Sequence, residues 1–328
     1  MAAMARVVAL ALLLFAAVVP AVAQPVAPNL DAVTRLLAEA PPDARSARTL
    51  GTKRDGNGVV IDGQGLVLTI GYLINEAMSV TVFNAEGKPV PAKIVGFDYE
   101  TGFGLVRALT PLGRRPVQFG NSGALKGKEP MLAVGHGGRD GTVATFVADR
   151  RPFAGAWEYL IEDAIFTAPA HPNWGGTALL GADGKLYGIG SLQVGNAAGD
   201  SQAAQPGNMF VPIDLLKPIF ADLLAEGRNG APQRPWLGVY TTELMGRLMV
   251  TQVLAGGPAE KAGIKAGDVL TAVGDKRFAG MADFYRTLWA GRDAGAAVDL
   301  RLLRSGEPLT LRVASGNRYD YLQKPKTY

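Results

Sequence analysis

The sequence predicts a mainly β protein. Short apolar runs recur about every eight to twelve residues, with turn residues between them. Glycine is abundant, with 42 residues against 21 prolines, and aromatics make up only 8%, a balance that suits many tight turns. Apolar residues reach 48% and charged residues 19%, which fits packed cores and not a disordered chain. A length of 328 residues is more than one ordinary core holds and predicts two or three domains.

The first element, residues 1–23, reads as a signal peptide. Arg6 supplies the positive start, Val7 to Val19 the apolar stretch, and Ala21-Val22-Ala23 a cleavage site before Gln24. The stretch is shorter than the ~20 residues that span a bilayer, and Pro20 breaks it. The mature chain is therefore expected outside the cytoplasm, periplasmic or otherwise exported, with a membrane anchor disfavoured. Residues 24–50 form an N-terminal segment. Leu30, Val33, Leu36 and Leu37 predict a short amphipathic helix that Pro41-Pro42 ends.

Residues 51–227 read as two sets of strands. The first holds Val59-Val60-Ile61, Leu66 to Thr69, Val80 to Phe83, Pro91 to Phe97 and Leu105 to Ala108. The second runs from Met131 to Phe210, with Asp183-Gly184 as a hairpin turn. This spacing predicts a barrel or sandwich. Asp214 to Gly227 reads as a closing helix. Residues 228–235 are a linker, and 236–315 a third unit with strands and helices near 259–262 and 281–290. The tail 316–328 is polar and expected to be loose.

Charge and composition exclude several functions. The net charge is only +4, and the densest basic pairs, Arg114-Arg115 and Arg150-Arg151, form no stripe, so no nucleic acid partner is expected. With no cysteine and only His136 and His171, no metal site is expected, and no cofactor.

Collinear motifs then carry a resemblance. They are Gly56-Asn57-Gly58-Val59-Val60-Ile61, Gly65 to Thr69, Val95-Gly96-Phe97-Asp98-Tyr99-Glu100-Thr101, Asn173-x-Gly175-Gly176, Gly184 to Ile189 and Phe210 to Asp214. Together they resemble the HtrA/Deg family of exported serine proteases. The resemblance implies a trypsin-like double six-stranded β-barrel over 51–227, followed by an α+β PDZ domain over 236–315. The family's histidine follows the Leu-Thr strand, where this chain has Tyr72. The orienting aspartate follows the Asp-x-x-Thr segment, where it has Gly102. The serine of Gly-Asn-Ser-Gly-Gly corresponds to Trp174, and Pro172 stands where the family draws an oxyanion-hole N–H. Tyrosine is a weak base, glycine has no side chain, indole has no nucleophile, and proline has no N–H. The residues therefore predict a pseudoprotease and no enzyme. A relocated pair of His171 and Ser191 is a minor alternative.

In the last unit, Trp236-Leu237-Gly238-Val239 resembles the PDZ loop that holds a peptide carboxylate. The helix near 281–290 forms the other wall, with Phe284, Tyr285 and Leu288 toward the pocket. Gly257-Pro258-Ala259-x-x-Ala262-Gly263-Ile264-x-x-Gly267-Asp268 is the most specific signature. The implied role is binding of peptide C-termini or unfolded segments, as chaperone, scaffold or modulator of an active HtrA-like protease. The alternatives are an active serine endopeptidase of envelope quality control and a structural assembly protein. The resemblance leaves a homo-oligomer open, although segment 24–50 has few aromatic anchors for one.

Overall fold

A computed structural model describes residues 28–199 and 203–322. The signal-peptide expectation over 1–23 lies outside these residues. Among the described residues, no helix is long and apolar enough to cross a membrane.

The first barrel contains β1 (Val33–Glu39), β2 (Lys53–Val60), β3 (Leu66–Ile70), β4 (Ser79–Phe83), β5 (Pro89–Phe97) and β6 (Phe103–Ala108). It closes in the order β1-β2-β3-β6-β5-β4. Two one-turn helices, α1 (Ala47–Leu50) and α2 (Gly71–Ile74), sit in its connections. The second barrel contains β7 (Pro130–Val134), β8 (Thr142–Gly155), β9 (Tyr159–Ala168), β10 (Ala178–Leu180), β11 (Leu186–Val194) and β12 (Gly207–Pro212). It closes as β10-β11-β12-β9-β8-β7. One apolar core runs through both barrels, from Leu36, Leu68 and Leu105 to Phe166, Ile189 and Val211. Helix α3 (Phe220–Glu226) follows and ends at Gly227 in the left-handed conformation.

The third unit has strands β13 (Val239–Leu244), β14 (Arg247–Val253), β15 (Val269–Val273), β16 (Lys276–Arg277), β17 (Ala297–Arg304) and β18 (Glu307–Ala314). Its helices are α4 (Pro258–Lys261) and α5 (Met281–Trp289). The sheet order β13-β14-β15-β17-β18 leaves β13 at an edge. Its core includes Val250, Phe284, Leu288 and Leu300, and also Leu160 from β9.

Two expectations change. Residues 33–39 form a strand and not a helix. β1 pairs with both β2 and β4, so the barrel claims those residues for its closing ladder. The tail is not loose where it is described. Helix α6 (Arg318–Tyr321) packs on the first barrel, with the Tyr319 ring stacked on Phe97 and its hydroxyl donating to the Phe97 carbonyl at 3.1 Å. Arg318 lies over the Tyr99 ring.

Candidate functional site

Tyr72 lies in α2, directly after β3. Its hydroxyl donates to the Ser191 carbonyl at 2.9 Å and receives a hydrogen bond from the Trp174 indole. The two positions meet across the interface of the barrels. Burial pushes the Tyr72 hydroxyl far above its ordinary pKa, and the indole bond offsets part of this. Deprotonated Tyr72 is thereby excluded at neutral pH.

Gly102 closes the same site. Its carbonyl accepts from the Gly71 N–H at 2.7 Å, next to Tyr72. Gly102 has φ +85°, and a Cβ there would lie 2.8 Å from the Tyr159 hydroxyl. That hydroxyl donates to the Thr101 carbonyl at 2.7 Å. Tyr159 thus fills the space into which a side chain at 102 would project.

The loop 172–177 is laid against β2 by one buried side chain. The Asn57 amide donates to the carbonyls of Asn173 and Gly175 at 2.9 and 3.1 Å, and to the Thr177 hydroxyl at 3.1 Å. Its oxygen accepts from both the backbone N–H and Nδ1 of His136, each at 2.8 Å. His171 has both ring nitrogens engaged. Nδ1 accepts from the Asn173 N–H at 3.1 Å, and Nε2 donates to the Gly141 carbonyl at 3.0 Å. Neither histidine ring hydrogen-bonds a serine among the described residues, so the His171 and Ser191 pairing does not form.

His136 provides a pH test. Burial lowers its pKa, partly opposed by Asp55 and reinforced by Arg35 and His171. The unfolded chain takes up this proton near pH ~6.5, before the folded one does. Stability contributed by neutral His136 is therefore present above that pH and lost as pH falls through it toward the lowered folded value. Melting temperatures followed from pH 7.5 to 5 should decline, and the decline should be shallower in His136→Asn.

In the third unit, the three N–H groups of Leu237, Gly238 and Val239 converge on one carboxylate, that of Glu158. The Leu237 N–H donates to Oε2 at 2.8 Å, and those of Gly238 and Val239 to Oε1 at 2.7 and 3.0 Å. Trp236 does not join them. Its N–H goes to the Gly316 carbonyl at 3.0 Å, and its ring packs on Tyr321. Phe284, Tyr285 and Leu288 are fully buried. Phe284 and Leu288 belong to the core, while the Tyr285 hydroxyl reaches out to donate to the Gly155 carbonyl at 2.7 Å. Glu158 escaped the sequence reading because a single glutamate in a hairpin turn carries no pattern. Among the described residues, no cluster of side chains suits a metal ion.

Comparisons with known proteins match this architecture. Residues 56–189 match a trypsin-like peptidase domain, and residues 235–314 a PDZ domain. Serine protease Do-like HtrA of Bacillus subtilis (strain 168) is 26% identical over 79% of this chain and 62% of its own length. Periplasmic serine endoprotease DegP of Salmonella typhimurium is 27% identical over 79% of this chain and 56% of its own. The chain thus spans less than two thirds of these relatives. The solved HtrA-type protease AlgW with decapeptide has a TM-score of 0.53 at 21% identity, covering 90% of this chain and 97% of that one, and shows the fold.

These matches correct the expectation that the chain is no enzyme. Its relatives are named serine proteases and endoproteases, and that kinship points to an enzyme. The physical reason is that three side chains do not by themselves fix turnover. Catalysis of about 10³–10⁴ over water survives loss of triad members where the oxyanion hole and substrate binding remain. With the peptidase-like double barrel and the PDZ unit in this order, the chain carries a trypsin-like peptidase domain followed by a PDZ domain, and it is similar to HtrA-type serine proteases.

Proposed function

We propose that this chain is an HtrA-type serine endopeptidase of envelope protein quality control, which receives the C-termini of protein substrates through its PDZ domain. Kinship to named serine endoproteases supports the endopeptidase part. The observation that carries substrate reception is the set of three converging N–H groups at Leu237, Gly238 and Val239. Backbone donors aimed at one point recognise a carboxylate and leave the rest of the peptide to extend along the edge of β13. DegP is named periplasmic, and the same compartment is proposed here.

The residues set strict terms for the hydrolysis. Tyr72, Gly102 and Trp174 occupy the positions of base, orienting acid and nucleophile in this reading, and none can take up that role. Pro172 withholds an oxyanion donor. The nucleophilic hydroxyl must therefore come from outside these positions. A serine-directed fluorophosphonate, together with turnover of an unfolded protein substrate, tests this directly. Covalent labelling that disappears on one Ser→Ala change, with parallel loss of turnover, is the expected result. Absence of both labelling and turnover in the folded chain would overturn the endopeptidase reading.

A further inference from the structure

We propose that the β8–β9 hairpin is an internal ligand of the PDZ groove, with the Glu158 side-chain carboxylate standing where a peptide's terminal carboxylate would bind. The inference rests on reading this groove as a receptor for C-termini, and it adds how access to the groove is controlled.

The hairpin imitates a bound peptide at each point of contact. Glu158 takes all three N–H groups of the loop. The Ala156 carbonyl accepts from the Thr241 N–H at 3.0 Å, so the turn engages the edge strand β13 as an added strand does. From the opposite wall, the Tyr285 hydroxyl on α5 donates to the Gly155 carbonyl and accepts from the Glu158 N–H at 3.1 Å. Leu160, two residues beyond the carboxylate, lies in the apolar cluster with Phe284, Tyr285 and Leu288. It supplies the aliphatic side chain that a peptide's end would bring. An exposed pair from Arg286 to Glu162, at 2.9 and 2.6 Å, fastens the hairpin to α5.

The backbone shows what holds the turn in place. Glu158 has φ +59°, a conformation that a glutamate seldom adopts and that persists only when surrounding contacts impose it. Those contacts include the polar ones just named, of which a free peptide can reproduce the carboxylate on the loop N–H groups and the carbonyl on β13. The loop N–H groups therefore have two alternative partners, and the same donors are satisfied with the hairpin in or out. A tethered carboxylate competes at an effective concentration set by how readily its hairpin reaches the loop. The apparent affinity for a peptide is then reduced by the fraction of molecules in which the groove is open.

The test uses the full chain and a dye-labelled peptide ending in Val with a free carboxylate, read by fluorescence anisotropy. The same peptide with an amidated end is the control. Glu158→Gly removes the carboxylate and suits the left-handed turn; Glu158→Gln keeps the side chain's shape and removes its charge. The free acid should bind E158G at least about tenfold more tightly than wild type, with E158Q between them and the amide weak throughout. Should E158G fail to fold, E158Q decides alone: tighter binding than wild type supports the internal ligand, and equal binding overturns it. Carboxylate-dependent binding of equal strength in wild type and both variants would overturn the internal ligand while leaving the receptor intact. No carboxylate-dependent binding by any of them would overturn both. The fluorophosphonate result is independent of all these outcomes.

Discussion

Gly176→Ala should destabilise the barrels by about 4 kcal/mol or more, among the largest effects expected of a single methyl group. A Cβ at 176 would sit 1.9 Å from the Asn57 carbonyl oxygen and 2.8 Å from the Thr69 hydroxyl. Neither neighbour can yield. The Asn57 carbonyl belongs to β2 and accepts from the Thr69 hydroxyl at 2.7 Å, while the Gly176 N–H is fixed to the Gly190 carbonyl at 2.9 Å. The residue also has φ +75°, which costs a non-glycine residue about 1–2 kcal/mol before any clash. Relief requires the loop 172–177 to lift from β2, which breaks the Asn57 hydrogen bonds to Asn173 and Gly175. Thermal unfolding should show a melting temperature lower by roughly 8–16 °C, at about 2–4 °C per kcal/mol for a body of this size. A shift of a degree or two would mean that the loop is not clamped between the barrels as described.

The glycines of that loop were legible because close backbone approach leaves a motif. The strand at 33–39 was not. Its inward positions include Thr34, a polar residue that is fully buried. The Thr34 hydroxyl donates to the Phe83 carbonyl at 2.6 Å and accepts from the Phe83 N–H at 2.9 Å. A polar residue at an inward site hides the two-residue alternation of a strand, so Leu30, Val33, Leu36 and Leu37 passed for a helical face. The tail failed for another reason. Arg318 and Tyr319 are unremarkable in a polar segment, and only the distant Phe97 and Tyr99 give them a surface to pack on.

The candidate site shows the same division. Positions 72, 102 and 174 could be named from local motifs, and the structure brings them together. The partners that determine their surroundings could not be named. Tyr159 fills the space beside Gly102, and Glu158 enters a loop some eighty residues ahead in the chain. These two neighbours form one short hairpin that touches the peptidase cleft on one side and the PDZ groove on the other. Such a meeting depends on how the barrels and the PDZ unit pack, and no local pattern encodes it.

Arg54→Met should cost about 3 kcal/mol or more, since each buried carbonyl left without its donor costs about 1–3 kcal/mol. Arg54 is only 5% exposed. Its guanidinium donates to the carbonyls of Tyr72 at 2.9 Å and Asn75 at 2.5 Å, and to the Ser46 hydroxyl at 2.8 Å. Burial lowers its pKa, and the nearby Glu76 carboxylate opposes this. Glu76 is itself buried and accepts the N–H groups of Arg45 and Ser46. Methionine fills much of the volume but leaves three carbonyls, those of Gly51, Tyr72 and Asn75, short of a donor and takes a cation from the neighbourhood of Glu76. The loss should be smaller when Glu76 is already Gln, because the attraction between the two charges is then already absent. A double-mutant cycle on Arg54 and Glu76, followed by denaturant unfolding, should give a coupling of roughly 1–3 kcal/mol. Additive losses would show that the two side chains act separately. Because Arg54 holds the Tyr72 carbonyl, setting its loss beside that of Tyr72→Phe shows whether α2 is fixed more from beneath by Arg54 or from above by the bond from Tyr72 to Ser191.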